Sequence, residues 1–506
     1  MHTKGRYEDA IRCLNSLQTN AETLARIRKE GGRDVQRNIP DMITFAQRAG
    51  ITLDALDKLN VIHVSGTKGK GSTCAFTESI LRQYGYKTGL FTSPHLVETR
   101  ERIRINGLPI EKKLFASYFF EVYNRLINTK NQHDPEVGMP AYFRFLTLMS
   151  LYVFVEQKVD VAILECGIGG TYDCTNIVRK PVVCGVSSLG IDHVSLLGDT
   201  VEKIAWHKAG IFKDDVAAVT VPQPAGPMQV LSERARELGA RLTLAPDIHT
   251  YDRERAPPQL GLAGDMQLWN ASLALQLCKV WLEARHQGCG DRRGVGGQRQ
   301  NQVNGTRDKV QTAPTFPITT EFSEGLKNCF WPGRAQTLRR SRVTYFLDGA
   351  HTASSMETCA RWFKAAAKEE ASRHKGSVCN VLMFNSGGDR LPSSLLAPIA
   401  HCHFDCVIFC PNRVNLAMDP SSDQSNFTVS ADSVMSRCHE HKNVYLKLIA
   451  RRDLAALRPD PPPPGADGGA PCSPEQSEDG VTTAIFPCIA HALRWVVGER
   501  DAHILV

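Results

Sequence analysis

The amino-acid sequence predicts an α/β fold: a mainly parallel sheet covered by helices on both faces, followed by a second, smaller α/β unit. Three observations carry that expectation. Strand-like apolar runs alternate with helical patterns through the first half of the chain, the order that builds parallel sheets. The first such run opens into a loop with three glycines around two lysines, Gly66 to Gly71, and then into a helical pattern. The alternation breaks over 286–315, where Gly, Arg, Gln and Asn replace apolar periodicity, and resumes near Trp331. At 506 residues the chain exceeds one ordinary core, so two domains are the natural division. The boundaries read as 1–330 and 331–506, with 286–315 as a flexible insertion.

In chain order, the expected strands of the first domain are Val61–Ser65, Thr88–Phe91, Val159–Leu164, Val182–Val186 and Val216–Val221. Each is a short apolar run bounded by polar or glycine-containing stretches. Helical spacing of apolar residues marks Thr73–Tyr84, Tyr142–Gln157, Thr200–Lys208, Gln229–Leu238 and Met266–Ala284. In the second domain the expected strands are Val343–Leu347, Val378–Phe384 and Cys406–Phe409. Its expected helices are Ser354–Lys368, Ala431–His441 and Ile485–Val497. The run Pro461 to Pro464, with its neighbouring Gly, Ser and acidic residues, makes 458–481 an expected disordered loop. No internal repeat is found.

Composition narrows the function. With 42% hydrophobic and 22% charged residues the chain reads as globular, neither disordered nor fibrous. A formal charge of +7 is modest for this length and suits an anionic small molecule. No lysine- or arginine-rich tract with interleaved aromatics points to nucleic acid. The 16 cysteines stand singly with no signal peptide ahead of them, as expected for buried free thiols in a reducing compartment. His401, Cys402, His403, Cys406 and Cys410 lack zinc-ligand spacing, and Cys406 to Cys410 reads as a core strand. The sequons at Asn270, Asn304 and Asn426 read as coincidental in a cytosolic chain. No apolar run spans a bilayer; the longest candidate, Phe143 to Val155, is interrupted by Arg144. Glu8 and Asp9 make the N-terminus unlike an organelle-targeting peptide, so a mitochondrial form is expected only from a longer start.

The loop Gly66-Thr67-Lys68-Gly69-Lys70-Gly71-Ser72 reads as a phosphate cradle. Glycines let backbone N–H groups approach an anion, the helix N-terminus adds positive potential, and lysine supplies a full charge. The common G-x-x-x-x-G-K-[ST] pattern does not fit: Val64 stands at its first glycine, and Gly71 separates Lys70 from Ser72. Beyond a second strand, Glu165 precedes Gly167, Gly169 and Gly170. A carboxylate there suits Mg²⁺, a hard cation, with a helix cap or buried salt bridge as the plainer alternative. Asp192 and His193 follow a third strand at the same expected sheet edge. Lys208 lies in a largely apolar helix, and spacing alone predicts that it snorkels to water.

Taken together and in order, these segments resemble the folylpolyglutamate synthase family of the Mur ligase superfamily, especially its vertebrate members. The resemblance rests on Gly66 to Ser72, Ser93-Pro94-His95-Leu96, Glu101 to Gly107, Tyr142 to Thr147, Glu165 to Asn176, Leu189 to Ile211, Trp331-Pro332-Gly333-Arg334 and Asp348-Gly349-Ala350-His351. It implies a Mur-ligase-like P-loop ATPase domain followed by a Rossmann-like domain, and a monomer. It also implies an ATP-dependent ligase that adds L-glutamate to the γ-carboxyl of a reduced folate through an acyl phosphate. By the same resemblance Gly69, Lys70, Gly71 and Ser72 cradle the triphosphate, and Ser93 and Glu165 hold one Mg²⁺. His193, Glu165 and a carbamylated Lys208 hold a second, and a monovalent cation accompanies them. Asn270 contacts adenine, Arg334 and Asp348 contact ATP, and His351 is the substrate-side candidate.

The pattern departs in two places. Met266-Gln267 stands where His-Gln commonly precedes the Asn270 motif. The chain stops at Ile504-Leu505-Val506, inside a strand that vertebrate relatives follow with a Thr-Gly-Ser segment on the glutamate side. An apparent C-terminal truncation makes a catalytically impaired ATP- or folate-binding form the competing expectation.

Overall fold

The computed structural model of the chain describes residues 6–18, 35–130, 138–251, 258–289, 310–387, 390–416, 421–424, 431–450, 475–476, 481–498 and 503–506. They divide into two units, one reaching to Trp331 and the other running from Pro332 to Val506. The expected flexible segments lie partly outside them: 290–309 of the first, and 458–474 with 477–480 of the second. No helix among the described residues is long and apolar enough to cross a membrane.

The first unit begins with helices α1 (Tyr7–Asn15), α2 (Asn38–Arg48) and α3 (Leu53–Asp57). Strand β1 (Ile62–Ser65) leads into helix α4 (Lys70–Gln83), and β2 (Thr88–Phe91) into the hairpin β3 (Ile103–Ile105) and β4 (Leu108–Pro109). Helices α5 (Lys112–Asn128) and α6 (Tyr142–Glu156) precede β5 (Val161–Glu165) and β6 (Val183–Val186). The unit continues through α7 (Val194–Leu197), α8 (Val201–Ala209), β7 (Ala217–Thr220), α9 (Ala225–Glu237), β8 (Arg241–Leu244), α10 (Met266–Cys289) and α11 (Thr320–Lys327).

Its eight strands run in the order β4-β3-β2-β5-β1-β6-β7-β8. From β2 through β5, β1, β6 and β7 to β8 all neighbours are parallel, and the β3–β4 hairpin joins β2 antiparallel at the edge. Strand β1 therefore lies in the middle, entirely buried, with Val64 in register with Glu165 of β5 on one side and Ser65 with Val186 of β6 on the other. The carboxyl ends of three strands converge where ligands of parallel sheets collect. Apolar packing fixes this edge from below: one core gathers Phe115, Phe119, Phe145 and Phe154 from α5 and α6, a second Phe76 and Trp281 from α4 and α10.

Several elements differ from their expected bounds for local reasons. Helix α4 starts three residues earlier than apolar spacing predicts, because Gly69 adopts a left-handed conformation (φ 84°) that caps it and brings Lys70, Gly71 and Ser72 into its first turn. Strand β5 extends one residue further, so Glu165 ends the strand. Helix α10 continues to Cys289, and Thr312 pairs with Leu244, so both rims of the expected insertion belong to ordered structure. Helix α5 is not among the expected elements, although Phe115, Phe119, Val122 and Leu126 mark a buried helical face there.

The second unit comprises β9 (Gln336–Arg339), β10 (Val343–Leu347), α12 (Ala353–Ala371), β11 (Val378–Phe384), α13 (Pro392–Ala400), β12 (Cys406–Phe409) and α14 (Ala431–Ala450). Then follow β13 (Glu475–Gln476), β14 (Thr482–Ile485), α15 (Ile489–Gly498) and β15 (His503–Leu505). The segment expected as one helix over Ile485–Val497 is thus the end of a strand, then Pro487, then a helix. The sheet order is β13-β14-β12-β11-β15-β10-β9, parallel from β14 to β10. Strand β15 is central: Ile504 lies between Cys379 of β11 and Val343 of β10, and Leu505 is fully buried.

Leu505→Ala should cost about 3 kcal/mol of stability, the usual loss for a fully buried leucine. Equilibrium unfolding in denaturant measures it; a change under about 0.5 kcal/mol would mean that β15 does not hold the sheet together.

Candidate active site

The phosphate loop is held by the strand beside it. Thr67 and Lys68 both donate their N–H groups to the Ser188 carbonyl, at 2.9 and 3.0 Å. Thr67 Oγ1 lies 3.0 Å from the Gly190 carbonyl and 3.2 Å from its N–H. Ser65 Oγ donates to the Gly169 carbonyl at 2.7 Å, tying the end of β1 to the loop after β5. The first bond within α4 runs from Thr73 N to Gly69 O at 2.8 Å. The N–H groups of Lys70, Gly71 and Ser72 ahead of it have no intrahelical acceptor and face a prospective anion.

Glycine is required here by contact. A Cβ on Gly66 (φ 143°) would stand 1.9 Å from Ser187 Oγ, and one on Gly69 would stand 2.1 Å from Asn270 Oδ1. Asn270 therefore lies directly on the loop, buried, with Nδ2 donating to Gln267 Oε1 at 2.9 Å. Gln267 belongs to the Met266-Gln267 departure, and it keeps this hydrogen bond. Above Gly71 hang Trp331 Nε1 and both Glu165 oxygens, 3.3 and 3.5 Å from the position of a Cβ there.

Glu165 is buried at 4% exposure. Its Oε2 accepts from Thr92 Oγ1 and from Ser93 N, the latter at 3.1 Å. It is neither a helix cap nor a salt-bridge partner; the hydrogen bonds place its carboxylate and Ser93 side by side over the first turn of α4.

Lys208 overturns the expectation from spacing. It does not reach water: it is 3% exposed, and Nζ donates to the Gly66 carbonyl at 2.7 Å. Its helix end is clamped, since a Cβ on Gly170 would stand 2.7 Å from the carbonyls of His207 and Lys208, and Thr171 N donates to His207 O at 2.8 Å. Burial, and then the nearby Lys70 ammonium, push the Lys208 pKa down to about 7. Lys70 Nζ itself folds back toward the Thr67 carbonyl at 3.4 Å. Two lysines thus converge on one loop, a positive site suited to a polyanion. His193 immediately precedes α7 in a left-handed conformation (φ 52°) and is exposed, with Nε2 3.8 Å from Asp192 Oδ2.

In the second unit Arg334, just before β9, meets Asp348 and His351, just after β10, where the two strands pair at Gln336 and Leu347. Arg334 Nη1 donates to the Gly333 carbonyl at 3.0 Å and lies on Gly349, whose Cβ would come within 2.5 Å of it. Asp348 accepts from Ala335 N at 2.8 Å and from Ala350 N at 2.9 Å. His351 Nδ1 lies 2.7 Å from the Gly349 carbonyl, to which it donates.

Sequence reading passed over three features: the Ser187–Ser188 support, Trp331 as a ceiling over Gly71, and His63. The last was legible as a lone imidazole inside an apolar strand. Among the described residues, Glu370, His374 and His503 have donor atoms within 4.8 Å of one another. Arg339 Nε already binds both Glu370 oxygens, at 3.1 and 2.9 Å, and Arg373 stands 3.7 Å away, so a cation there would meet two guanidinium groups.

No family profile matches the chain. The chain is 49% identical over 497 residues to human mitochondrial folylpolyglutamate synthase, covering 98% of this chain and 83% of that protein. The bovine protein of the same name is 47% identical over 506 residues, covering 98% and 84%. The folylpolyglutamate synthase of Saccharomyces cerevisiae is 38% identical over 441 residues, covering 85% and 75%. Among solved structures, the apo form of L. casei FPGS aligns with a TM-score of 0.61 at 23% identity, over 80% of this chain and 88% of that one. E. coli FolC in complex with DHPP and ADP gives 0.61 at 22% identity, over 92% and 88%. These structural likenesses carry the fold.

The two glycines of the loop make contrasting predictions. Gly66→Ala should cost about 2–4 kcal/mol, from backbone strain plus the clash with Ser187. Gly71→Ala, inside a helix with no contact under 3.3 Å, should change stability by less than about 1 kcal/mol. Denaturant midpoints of the two variants measure the difference, and equal losses would contradict the loop geometry.

Proposed function

The chain belongs to the folylpolyglutamate synthase family, and from that premise we infer that it joins L-glutamate to the γ-carboxyl of a reduced folate at the expense of ATP. The observation that carries the reading is the phosphate cradle at Gly69 to Ser72, with the Glu165 carboxylate above it and Lys208 beneath Gly66. A γ-carboxylate is a poor electrophile. Its oxygen attacks the γ-phosphorus of ATP, the bond to the β-phosphate oxygen breaks, and ADP leaves an acyl phosphate. The amine of glutamate attacks the acyl carbon, the bond to phosphate breaks, and the nitrogen loses a proton to give the amide. Lys70 and the unspent N–H groups of α4 hold the triphosphate and offset charge on the transferring group.

A divalent cation fits the donor set. Glu165 supplies hard oxygen ligands, and its hydrogen bond to Ser93 N puts the Ser93 side chain beside it. We assign one Mg²⁺ to Ser93 and Glu165 and a second to Glu165, His193 and Lys208, with a monovalent cation by family resemblance. Bound Mg²⁺ would supply charge neutralisation on the phosphoryl group. An ammonium has no lone pair to give, so Lys208 enters this set only as a carbamate. Its amine nitrogen would attack the carbon of CO₂ and lose a proton, which a buried lysine with a pKa of about 7 favours. Asn270 Nδ2 keeps a second hydrogen beyond Gln267 for adenine. We assign Arg334 and Asp348 to ATP and His351 to substrate.

A mitochondrial form follows from the human and bovine relatives. We place a second form in the cytoplasm, consistent with cysteines that are free and mostly buried. The working unit is taken as a monomer.

Lys70→Ala and Glu165→Ala should each lower MgATP-dependent incorporation of labelled glutamate into tetrahydrofolate by about a thousandfold or more. Circular dichroism should show both folded; retained activity in either would remove that residue from the site. With carbon-13-labelled bicarbonate, the wild-type protein should show a carbamate resonance that Lys208→Ala lacks. Identical spectra would return Lys208 to the role of an ammonium under the loop.

A further inference from the structure

His63 is the one imidazole in the central strand β1, and it is fully buried. Its Nε2 lies 2.8 Å from Thr175 Oγ1 and 3.2 Å from Cys166 Sγ. The Thr175 hydroxyl is 2.6 Å from Asp173 Oδ1. A carboxylate only accepts, so the threonine proton points to Asp173 and its lone pair receives a proton from the ring. That fixes the neutral Nε2–H tautomer of His63. Burial, then Lys213, push its pKa down to about 3, so the ring stays neutral. The opposite nitrogen, Nδ1, is buried without a hydrogen-bond partner.

The chain of donors ends on Asp173, which also accepts from the opposite side. Asp173 Oδ2 accepts from Gly167 N and Ile168 N, each at 3.0 Å, and Oδ1 also accepts from Thr175 N at 3.0 Å. Gly167 follows Glu165 by two residues, and Gly66 follows His63 by three. One hydrogen-bonded path, meeting at the Asp173 carboxylate, therefore runs from the strand that feeds the phosphate loop to the backbone just beyond the Glu165 carboxylate. A cysteine, a histidine and an aspartate in reach of one another also resemble a nucleophilic set. Here burial raises the Cys166 thiol well above its ordinary range, and neither Cys166 nor His63 is reachable from solvent. A leucine would fill the same space without leaving Nδ1 unpaired, and that penalty calls for a return elsewhere.

We propose that His63 is a positioning residue for the ligase reaction: through Thr175 and Asp173 it sets the Glu165 carboxylate against the phosphate loop. The proposal rests on the function assigned above and extends it to a residue that touches neither nucleotide nor folate. His63→Leu removes the donor, while His63→Gln returns an amide N–H at similar reach. Thr175→Val cuts the path one step further on.

The test measures kcat, separate KM values for MgATP and folate, the free Mg²⁺ needed for half-maximal rate, and thermal melting. The affinity for MgAMPPCP is titrated on the same preparations. His63→Leu and Thr175→Val should raise the Mg²⁺ requirement and the MgAMPPCP Kd about tenfold while the folate KM moves less than twofold. His63→Gln should return both to within about threefold. Wild-type values in His63→Leu, or equal losses in the Leu and Gln variants that follow their melting temperatures, would overturn the proposal. Wild-type protein that binds MgAMPPCP but adds no glutamate would instead overturn the assigned function, and the affinity series would still decide the role of His63.

Discussion

A buried lysine sets the terms for the rest of the site. Lys208 has no route to water, because the glycines after Glu165 let the end of its helix press against the loop from Gly169 to Thr171. Its ammonium donates to the Gly66 carbonyl. Charge buried this way costs free energy unless matched, and the neighbouring Lys70 worsens the balance. A polyanion at the N-terminus of α4 would match the Lys70 charge, and carbamylation would remove that of Lys208. Binding strength and loop order draw on the same imbalance.

Close approach is the second constraint, and it follows from the first. For helix, loop and carboxylate to meet around two lysines, backbones must come nearer than side chains allow. Gly66 admits Ser187, Gly69 admits Asn270, Gly71 admits Glu165 and Trp331, and Gly170 admits the end of α8. Each of these contacts joins segments far apart in the chain, so the glycines act as the joints of the site.

That division explains what could be read from sequence. The phosphate loop was legible because glycine and lysine announce it locally, and Glu165 because a charged residue closing an apolar strand stands out. The parallel sheet was legible in the alternation of strand and helix. Lys208 was not: helical spacing leads a lysine to the surface, and only Gly170, reaching it from another segment, buries it. His63 carried a visible signal, but its purpose depends on Thr175 and Asp173, more than a hundred residues away. The early start of α4 was hidden because Gly69, a poor helix former, acts as its cap. The central place of β15, with Ile504 and Leu505 paired on both sides, was not legible, because its partners lie more than a hundred residues earlier.

The position of β15 bears on how the second unit folds. Strands β10 and β11 are joined in sequence by α12 but do not pair with each other; the 503–505 segment must come between them. Until it does, two partial sheets each present an open edge with unpaired N–H and carbonyl groups. The contacts that close the gap span about 160 residues on one side and about 125 on the other, a high contact order that slows folding. During synthesis this unit must wait with its interior seam exposed until those residues clear the ribosome, which makes that interval its period of greatest exposure to chaperones and to aggregation.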